Sequence, residues 1–141
     1  MIDIPPIPSD VAARARETFA RVPFVRLLGM TLEHVAMGAA SVSADARPDL
    51  AQTEGLLHGG VTFSVMDTAA AFAVFTLLEP GETTVTVDFS IHYLRPIFEG
   101  RVTARAAVVR AGRRLVSLSV EATDQAGVLV ATALTTYARR R

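Results

Sequence analysis

The sequence predicts an α+β domain in which a curled antiparallel sheet wraps around one long, buried helix. The first observation is an apolar segment over 61–78 that few polar side chains interrupt. The second is a series of segments after residue 83 in which apolar and polar residues alternate, as in strands with one buried face. A helix that is apolar almost all round needs cover on several sides, which a curled sheet supplies. With 141 residues, the chain is predicted to form a single domain over 1–141.

Composition excludes several classes of function. Fourteen basic residues offset fourteen acidic ones, which does not support sequence-independent binding of nucleic acid. The absence of cysteine excludes a disulfide scaffold, a cysteine zinc site and a thiol nucleophile, and three scattered histidines supply no metal-ligand set. Residues 1–6 lack a charged-then-apolar leader, and Asp67 interrupts the one segment that resembles a membrane span. We therefore expect a cytoplasmic protein that binds neither metal nor membrane.

The first part of the chain predicts an N-terminal helical extension over 1–23. Ser9 and Asp10 form a plausible N-cap before a run of good helix formers, and Pro23 is predicted to stop that helix. The elements predicted next are an irregular segment over 24–30, short strands over 31–35 and 39–46, and a loop over 51–58.

The apolar segment predicts the central helix. Gly59 and Gly60 open it, and the stop signals over 79–82 end it. At helical spacing, Gly60, Ser64, Asp67 and Ala71 fall on one narrow stripe, and nearly all other residues around the helix are apolar.

The rest of the chain predicts four antiparallel strands in a meander. In the first, over 84–93, the odd-numbered residues from Val85 to Tyr93 are predicted to form one apolar face. The other three are predicted over 101–110, 116–122 and 128–137. Because an open sheet has two edges that partners commonly cover across a two-fold axis, a homo-oligomer is expected.

The start of the central helix is the sharpest candidate site. Two glycines allow a ligand to approach backbone N–H groups, and the helix dipole adds partial positive charge there, which suits a developing oxyanion. Asp67 lies ~12 Å further along the same helix, too far to share a small site with the Gly59 amide. In a two-fold dimer with antiparallel central helices, Asp67 of one chain could face Gly59 of the other.

These residues carry a family resemblance. The run His58-Gly59-Gly60, the aspartate seven residues later, and the segments 85–88 and 93–96 resemble the hotdog-fold acyl-CoA thioesterases, more narrowly their phenylacetyl-CoA thioesterase-like branch. The resemblance runs from about Thr31 to Tyr137. It implies the hotdog fold, a homo-oligomer with a dimer as catalytic unit and a tetramer as the expected assembly, and no cofactor, since CoA is part of the substrate.

The resemblance also implies a role for each matching residue. Gly59 would supply the backbone N–H that polarises the thioester carbonyl, and Asp67 of the partner subunit would be the nucleophile or the base that activates water. His58 would lie beside the thioester and help shape the site. Gln52, where related enzymes often carry Asn, would help hold the carbonyl or the water. Thr86, where some relatives have Ser, would orient the attacking water.

Four further residues are candidates for substrate binding. Gly60 adjoins the predicted oxyanion site, and the guanidinium groups of Arg95, Arg113 and Arg114 suit the nucleotide phosphates of CoA. Simpler explanations stay open: Asp67 could be a buried carboxylate bonded across a dimer interface, the glycines could serve close packing, and the arginines could be solubilising charges.

The expected function is hydrolysis of an acyl-CoA or aroyl-CoA thioester to the free acid and CoA. The alternative from another class is a non-catalytic acyl-CoA-binding regulator or sensor. A hotdog hydratase or dehydratase is a third hypothesis, but those families pair histidine with an acidic residue in an arrangement that His58 and Asp67 do not match. Phe63, Met66 and Ala70 are predicted walls of the acyl pocket.

Overall fold

A computed structural model of the chain describes residues 6–141. The segment 1–5, part of the predicted N-terminal extension, lies outside the described residues. The elements follow in the order α1 Ser9–Arg21, α2 Pro23–Leu28, β1 Thr31–Ala36, β2 Ala39–Asp45, a 3-10 turn Pro48–Leu50, α3 Gly59–Phe75, β3 Thr83–Tyr93, β4 Arg101–Ala111, β5 Leu115–Thr123 and β6 Leu129–Arg140.

Within residues 6–141 the strands form one six-stranded antiparallel sheet, in the order β1-β2-β4-β5-β6-β3. The sheet curls around α3, which confirms the predicted α+β class. The predicted meander is wrong, because β3 pairs with β6 while β4 pairs with β2. The connection 94–100 carries the chain from an edge of the sheet into its middle. Alternation identifies the buried face of a strand but not its neighbour, so the sequence pattern does not reveal this crossover.

The N-terminal helices differ from the prediction at their boundaries. Pro8, not Ser9 or Asp10, is the N-cap of α1, and it makes no side-chain cap bond. Asp10 lies in the first turn, where the helix dipole favours a carboxylate. Pro23 begins α2, because proline tolerates the first helical position, where its missing N–H is not needed. The segment predicted as irregular is therefore helical until Gly29, whose left-handed φ of 66° ends the helix.

The central helix α3 packs against the concave face of the sheet. Gly60, Ser64, Asp67 and Ala71 keep part of their surface exposed, so the predicted stripe is confirmed. We call these four residues the open stripe. Among residues 6–141, no helix is both long and apolar enough to cross a bilayer. The residues of α3 buried in the core are Val61, Thr62, Val65, Met66, Ala69, Ala70, Phe72, Ala73 and Val74.

The burial of α3 corrects the predicted pocket walls. Met66 and Ala70 are 0% exposed, because both side chains pack into the core between the helix and the sheet. Phe63 is only partly buried and packs edge-on against Phe89 of β3, with 4.8 Å between the ring centroids. Of the three predicted walls, only Phe63 is available to contact a bound molecule.

Strand β3 contains a bulge that the alternation conceals. Thr86 pairs with Tyr137 and Asp88 with Thr136, so Val87 is an extra residue in the ladder. One extra residue moves every following side chain to the other face. Before the bulge, Thr86 points toward α3 while Val85 is exposed; after it, the Phe89 side of the strand faces α3. The predicted single apolar face over 84–93 is therefore wrong.

The same strand forms one edge of the sheet. Val85 and Val87 are 42% and 55% exposed there. Apolar side chains on an unpaired edge strand are typical of a surface that a partner covers. The homo-oligomer remains a prediction, and this edge and the open stripe are candidate surfaces for it.

Candidate active site

The first turn of α3 leaves the Gly59 N–H available as a donor. His58 is the N-cap, with extended backbone angles, and its Nδ1 accepts the Gly60 N–H at 2.8 Å. The His58 carbonyl accepts the Val61 N–H at 2.9 Å. Among the described residues, no acceptor is bonded to the Gly59 N–H. The Gly60 amide, predicted as a binding group, is therefore occupied by His58, and the Gly59 amide carries the partial positive charge of the helix start.

Tyr93 of β3 holds the Gly59 peptide in position. Its hydroxyl donates to the Gly59 carbonyl at 2.7 Å, and a Cβ on Gly59 would lie 3.2 Å from the Tyr93 ring. A side chain at this position would therefore require the ring to shift by a few tenths of an ångström. Partial burial raises the pKa of Tyr93, which favours the neutral phenol as donor. Tyr93 was predicted only as part of a motif; its contact with Gly59 depends on the register of β3 beside α3, which the sequence does not reveal.

An apolar cavity of about 320 Å³ opens beside Gly59. Tyr93 and Arg95 also line it, which brings the predicted Arg95 to the same opening as the free amide. The other lining residues are mostly apolar: Leu56, Leu57, Thr62, Leu94, Pro96, Ile97 and Val130.

Gln52 is engaged elsewhere. Its side-chain carbonyl accepts the Glu54 N–H within its own loop, and its backbone N–H donates to Leu56 at 2.8 Å. It lines a separate cavity beside Phe98 and Glu99. The structure therefore does not bring Gln52 into the cavity that contains Gly59.

Asp67 lies in a second cluster, half-buried on the open stripe. Thr86 Oγ1 donates to Asp67 Oδ1 at 2.9 Å. The Tyr137 hydroxyl also donates to Oδ1, in a short hydrogen bond, and lies 2.6 Å from the Asp67 backbone carbonyl. Burial, followed by the neighbouring Asp67 charge, raises the pKa of Tyr137 strongly, so the phenol stays protonated. Tyr137 was not among the predicted site residues, although a buried phenol that needs a hydrogen-bond partner is a signal for such a role.

The two clusters are separate within one chain. Gly59 and Asp67 are on the same helix, ~12 Å apart along its axis, and Thr86 belongs with Asp67. The structure thus divides the predicted catalytic residues into an amide half with His58 and Gly59, and a carboxylate half with Asp67 and Thr86.

The three predicted phosphate-binding arginines are divided as well. Arg113 and Arg114, in the β4–β5 turn, line a polar cavity of about 640 Å³ together with Arg139 and Arg141. Arg95 does not line this cavity. Arg139 and Glu82 meet there at 2.7 Å, and this hydrogen bond is the main cause of the lowered pKa of Glu82. Arg139 Nε is buried without a hydrogen-bond partner among the described residues.

Comparison with known proteins identifies the family. Residues 54–131 match the Thioesterase superfamily, and this range includes Gly59, Asp67, Thr86 and Arg95. The chain is 31% identical to the medium/long-chain acyl-CoA thioesterase YigI of Escherichia coli K12, with 82% of this chain and 84% of that protein covered.

Solved structures show the same architecture. A thioesterase family protein of Silicibacter pomeroyi superposes with a TM-score of 0.86 at 32% identity, covering 92% of this chain and 97% of that one. The E. coli PaaI protein from the phenylacetic acid degradation operon superposes with a TM-score of 0.88 at 25% identity, covering 96% of both chains. The sequence match and the shared architecture agree: this chain belongs to the thioesterase superfamily and has the hotdog fold.

Proposed function

We propose that this chain is an acyl-CoA thioesterase, which hydrolyses an acyl-CoA or aroyl-CoA thioester to the free carboxylic acid and CoA. The observation that carries the proposal is the presence, on the same helix α3, of an available Gly59 N–H and an Asp67 carboxylate bonded to Thr86. An amide donor for the oxyanion and a carboxylate that acts on water or on the thioester are sufficient for thioester hydrolysis. Membership of the thioesterase superfamily supports the same reaction.

The proposed catalytic unit is a dimer with antiparallel α3 helices. In it, Gly59 of one chain faces Asp67 of the partner subunit, which removes the ~12 Å separation within a chain. The partly exposed open stripe and the apolar β3 edge are the surfaces that such a dimer would cover. A two-fold interface is self-complementary, so each dimer would have two equivalent sites. A tetramer of two dimers and a cytoplasmic location remain predictions.

Two routes use the same residues. In the general-base route, Asp67 takes a proton from water as the water oxygen bonds to the thioester carbonyl carbon. The carbonyl oxygen becomes an oxyanion that accepts a hydrogen bond from the Gly59 N–H. Collapse of this tetrahedral intermediate breaks the C–S bond, and the CoA thiolate takes the proton that Asp67 removed from water. In the nucleophile route, Asp67 displaces the thiolate to form an anhydride, which water then hydrolyses. Thr86 can donate to Asp67 and still accept a hydrogen bond from the attacking water.

Thiol release from a panel of CoA esters tests this function. The panel contains acetyl, hexanoyl, palmitoyl, phenylacetyl and benzoyl esters, and we expect the wild type to release CoA from at least one of them. The preferred ester would also identify the acyl class that the cavity accepts. If no ester is hydrolysed but CoA esters raise the melting temperature, the protein is an acyl-CoA-binding regulator and the proposal is wrong.

The nucleotide end of CoA is proposed to bind Arg113 and Arg114 of one subunit or Arg95 at the amide half. Replacing Arg113 and Arg114 together with alanine is expected to raise KM for a CoA ester about tenfold, because two charge-assisted contacts to phosphate are lost. The matched substrate is the S-acyl-pantetheine with the same acyl group, which lacks the nucleotide. Its KM should not change, and an equal rise for both substrates would contradict phosphate binding by this pair.

A further inference from the structure

Tyr137 is a side chain of the hydrophobic core that carries a polar hydroxyl. It is 1% exposed and is the largest of the fully buried side chains. A phenol in a core needs a hydrogen-bond partner, and the Tyr137 hydroxyl lies within hydrogen-bond distance of two oxygen atoms of Asp67. The raised pKa of Tyr137 means that this hydroxyl remains a donor and never competes with Asp67 as an anion.

Tyr137 and Thr86 act on the same oxygen of Asp67. They are directly opposite each other in the β3–β6 ladder, and the bulge after Thr86 keeps its hydroxyl on the α3 side. Both hydroxyls donate to Oδ1. Within residues 6–141, Oδ2 accepts no hydrogen bond and remains available on the open stripe.

We propose that Tyr137 is a positioning residue for Asp67, an inference that rests on the proposed thioesterase function. Its hydrogen bond to Oδ1 holds the carboxylate plane, so that Oδ2 is the oxygen that takes the proton of water or attacks the thioester. A carboxylate on a half-exposed helix face otherwise samples several rotamers, and a misplaced reacting atom lowers the rate of the chemical step. Tyr137 itself stays behind the carboxylate and does not contact substrate.

Tyr137→Phe tests this role, because phenylalanine keeps the buried ring and removes only the hydroxyl. We expect kcat for the best CoA ester of the panel to fall about tenfold, with KM changed by less than twofold. A loss of this size and kind is typical when a hydrogen bond to a charged group is removed and that group acts in the transition state. In enzyme that already carries Asp67→Asn, the same change should alter the residual turnover by less than twofold, because the carboxylate that it orients is gone.

The matched control is Thr84→Val. This change also removes a β3–β6 hydroxyl, which donates to the Ala138 carbonyl at 2.9 Å, but that hydroxyl does not bond to Asp67. Its kcat should equal that of the wild type. An unchanged kcat in Tyr137→Phe, or an equal loss in the Asp67→Asn background, would overturn the inference while leaving the thioesterase function in place. A wild type that hydrolyses no ester would overturn the proposed function and this inference with it.

Discussion

Replacing Asp67 with asparagine is expected to lower kcat by two or more powers of ten, while the fold and the oligomeric state stay intact. Asparagine keeps the size and one carbonyl oxygen, so Thr86 and Tyr137 can still donate to it. It cannot act as a base or carry negative charge to the thioester. The loss corresponds to roughly 3 kcal/mol of transition-state stabilisation. Thiol release with the best CoA ester of the panel measures it.

The control for this variant is Asp88→Asn. Asp88 is a second carboxylate, exposed on β3 beyond the bulge, and its substitution should leave kcat unchanged. Circular dichroism and size-exclusion chromatography establish that both variants keep the wild-type state. A folded Asp67→Asn protein with wild-type turnover would remove Asp67 from the reaction and favour its explanation as a structural carboxylate.

Replacing Gly59 with proline is expected to reduce kcat at least 100-fold more than replacing it with alanine. Proline lacks the N–H that is proposed to bind the oxyanion, and loss of one such donor costs about 100- to 1,000-fold. Both variants place a Cβ about 3.2 Å from the Tyr93 ring, so any cost of displacing that ring is shared. The ratio of the two kcat values therefore isolates the amide donor.

The local backbone permits this comparison. Gly59 is the first residue of α3, a position that proline tolerates, and His58 has φ −60° and ψ 133°, the extended conformation required before proline. Melting temperatures of the two variants check that they are folded to the same extent. Equal kcat values in folded Gly59→Pro and Gly59→Ala proteins would show that the oxyanion is bound elsewhere.

The two inactive variants together test whether the site is shared between subunits. In a mixed dimer of Asp67→Asn and Gly59→Pro chains, one of the two sites combines the intact Gly59 of one chain with the intact Asp67 of the other. Random reassembly of equal amounts should therefore restore about a quarter of the wild-type sites. Failure of subunit-exchanged mixtures to regain turnover would contradict a composite site.

Sequence patterns predicted the central helix and its open stripe closely. The spacing of Gly60, Ser64, Asp67 and Ala71 depends only on the helical period, which is local and visible in the sequence. The hydrogen bond between Thr86 and Asp67 was not predicted. The bulge at Val87 shifts β3 by one residue, so the strand does not keep the single apolar face that alternation predicts. A bulge of this kind leaves no mark in the alternation itself.

Some features of the candidate site were likewise predicted from the sequence, and others were not. His58, Gly59 and Asp67 carry chemistry that residue type and spacing already indicate, and the structure leaves a free amide and a bonded carboxylate at these positions. The predicted role of Gln52 is not supported, because its side chain accepts a hydrogen bond within its own loop. The sequence pattern could not reveal this local contact. Whether a polar side chain turns to its own backbone or to a ligand depends on loop geometry.

The sequence by itself determined the α+β class, the helix that the sheet surrounds, and the residue types available for thioester chemistry. Strand order, the bulge in β3 and the meeting of Tyr137 with Asp67 were decided only by the tertiary structure. The reason is physical: helical and strand periods act over a few residues, whereas Tyr137 and Asp67 are 70 residues apart and meet only through the register of β6 against β3 and the packing of α3 on the sheet.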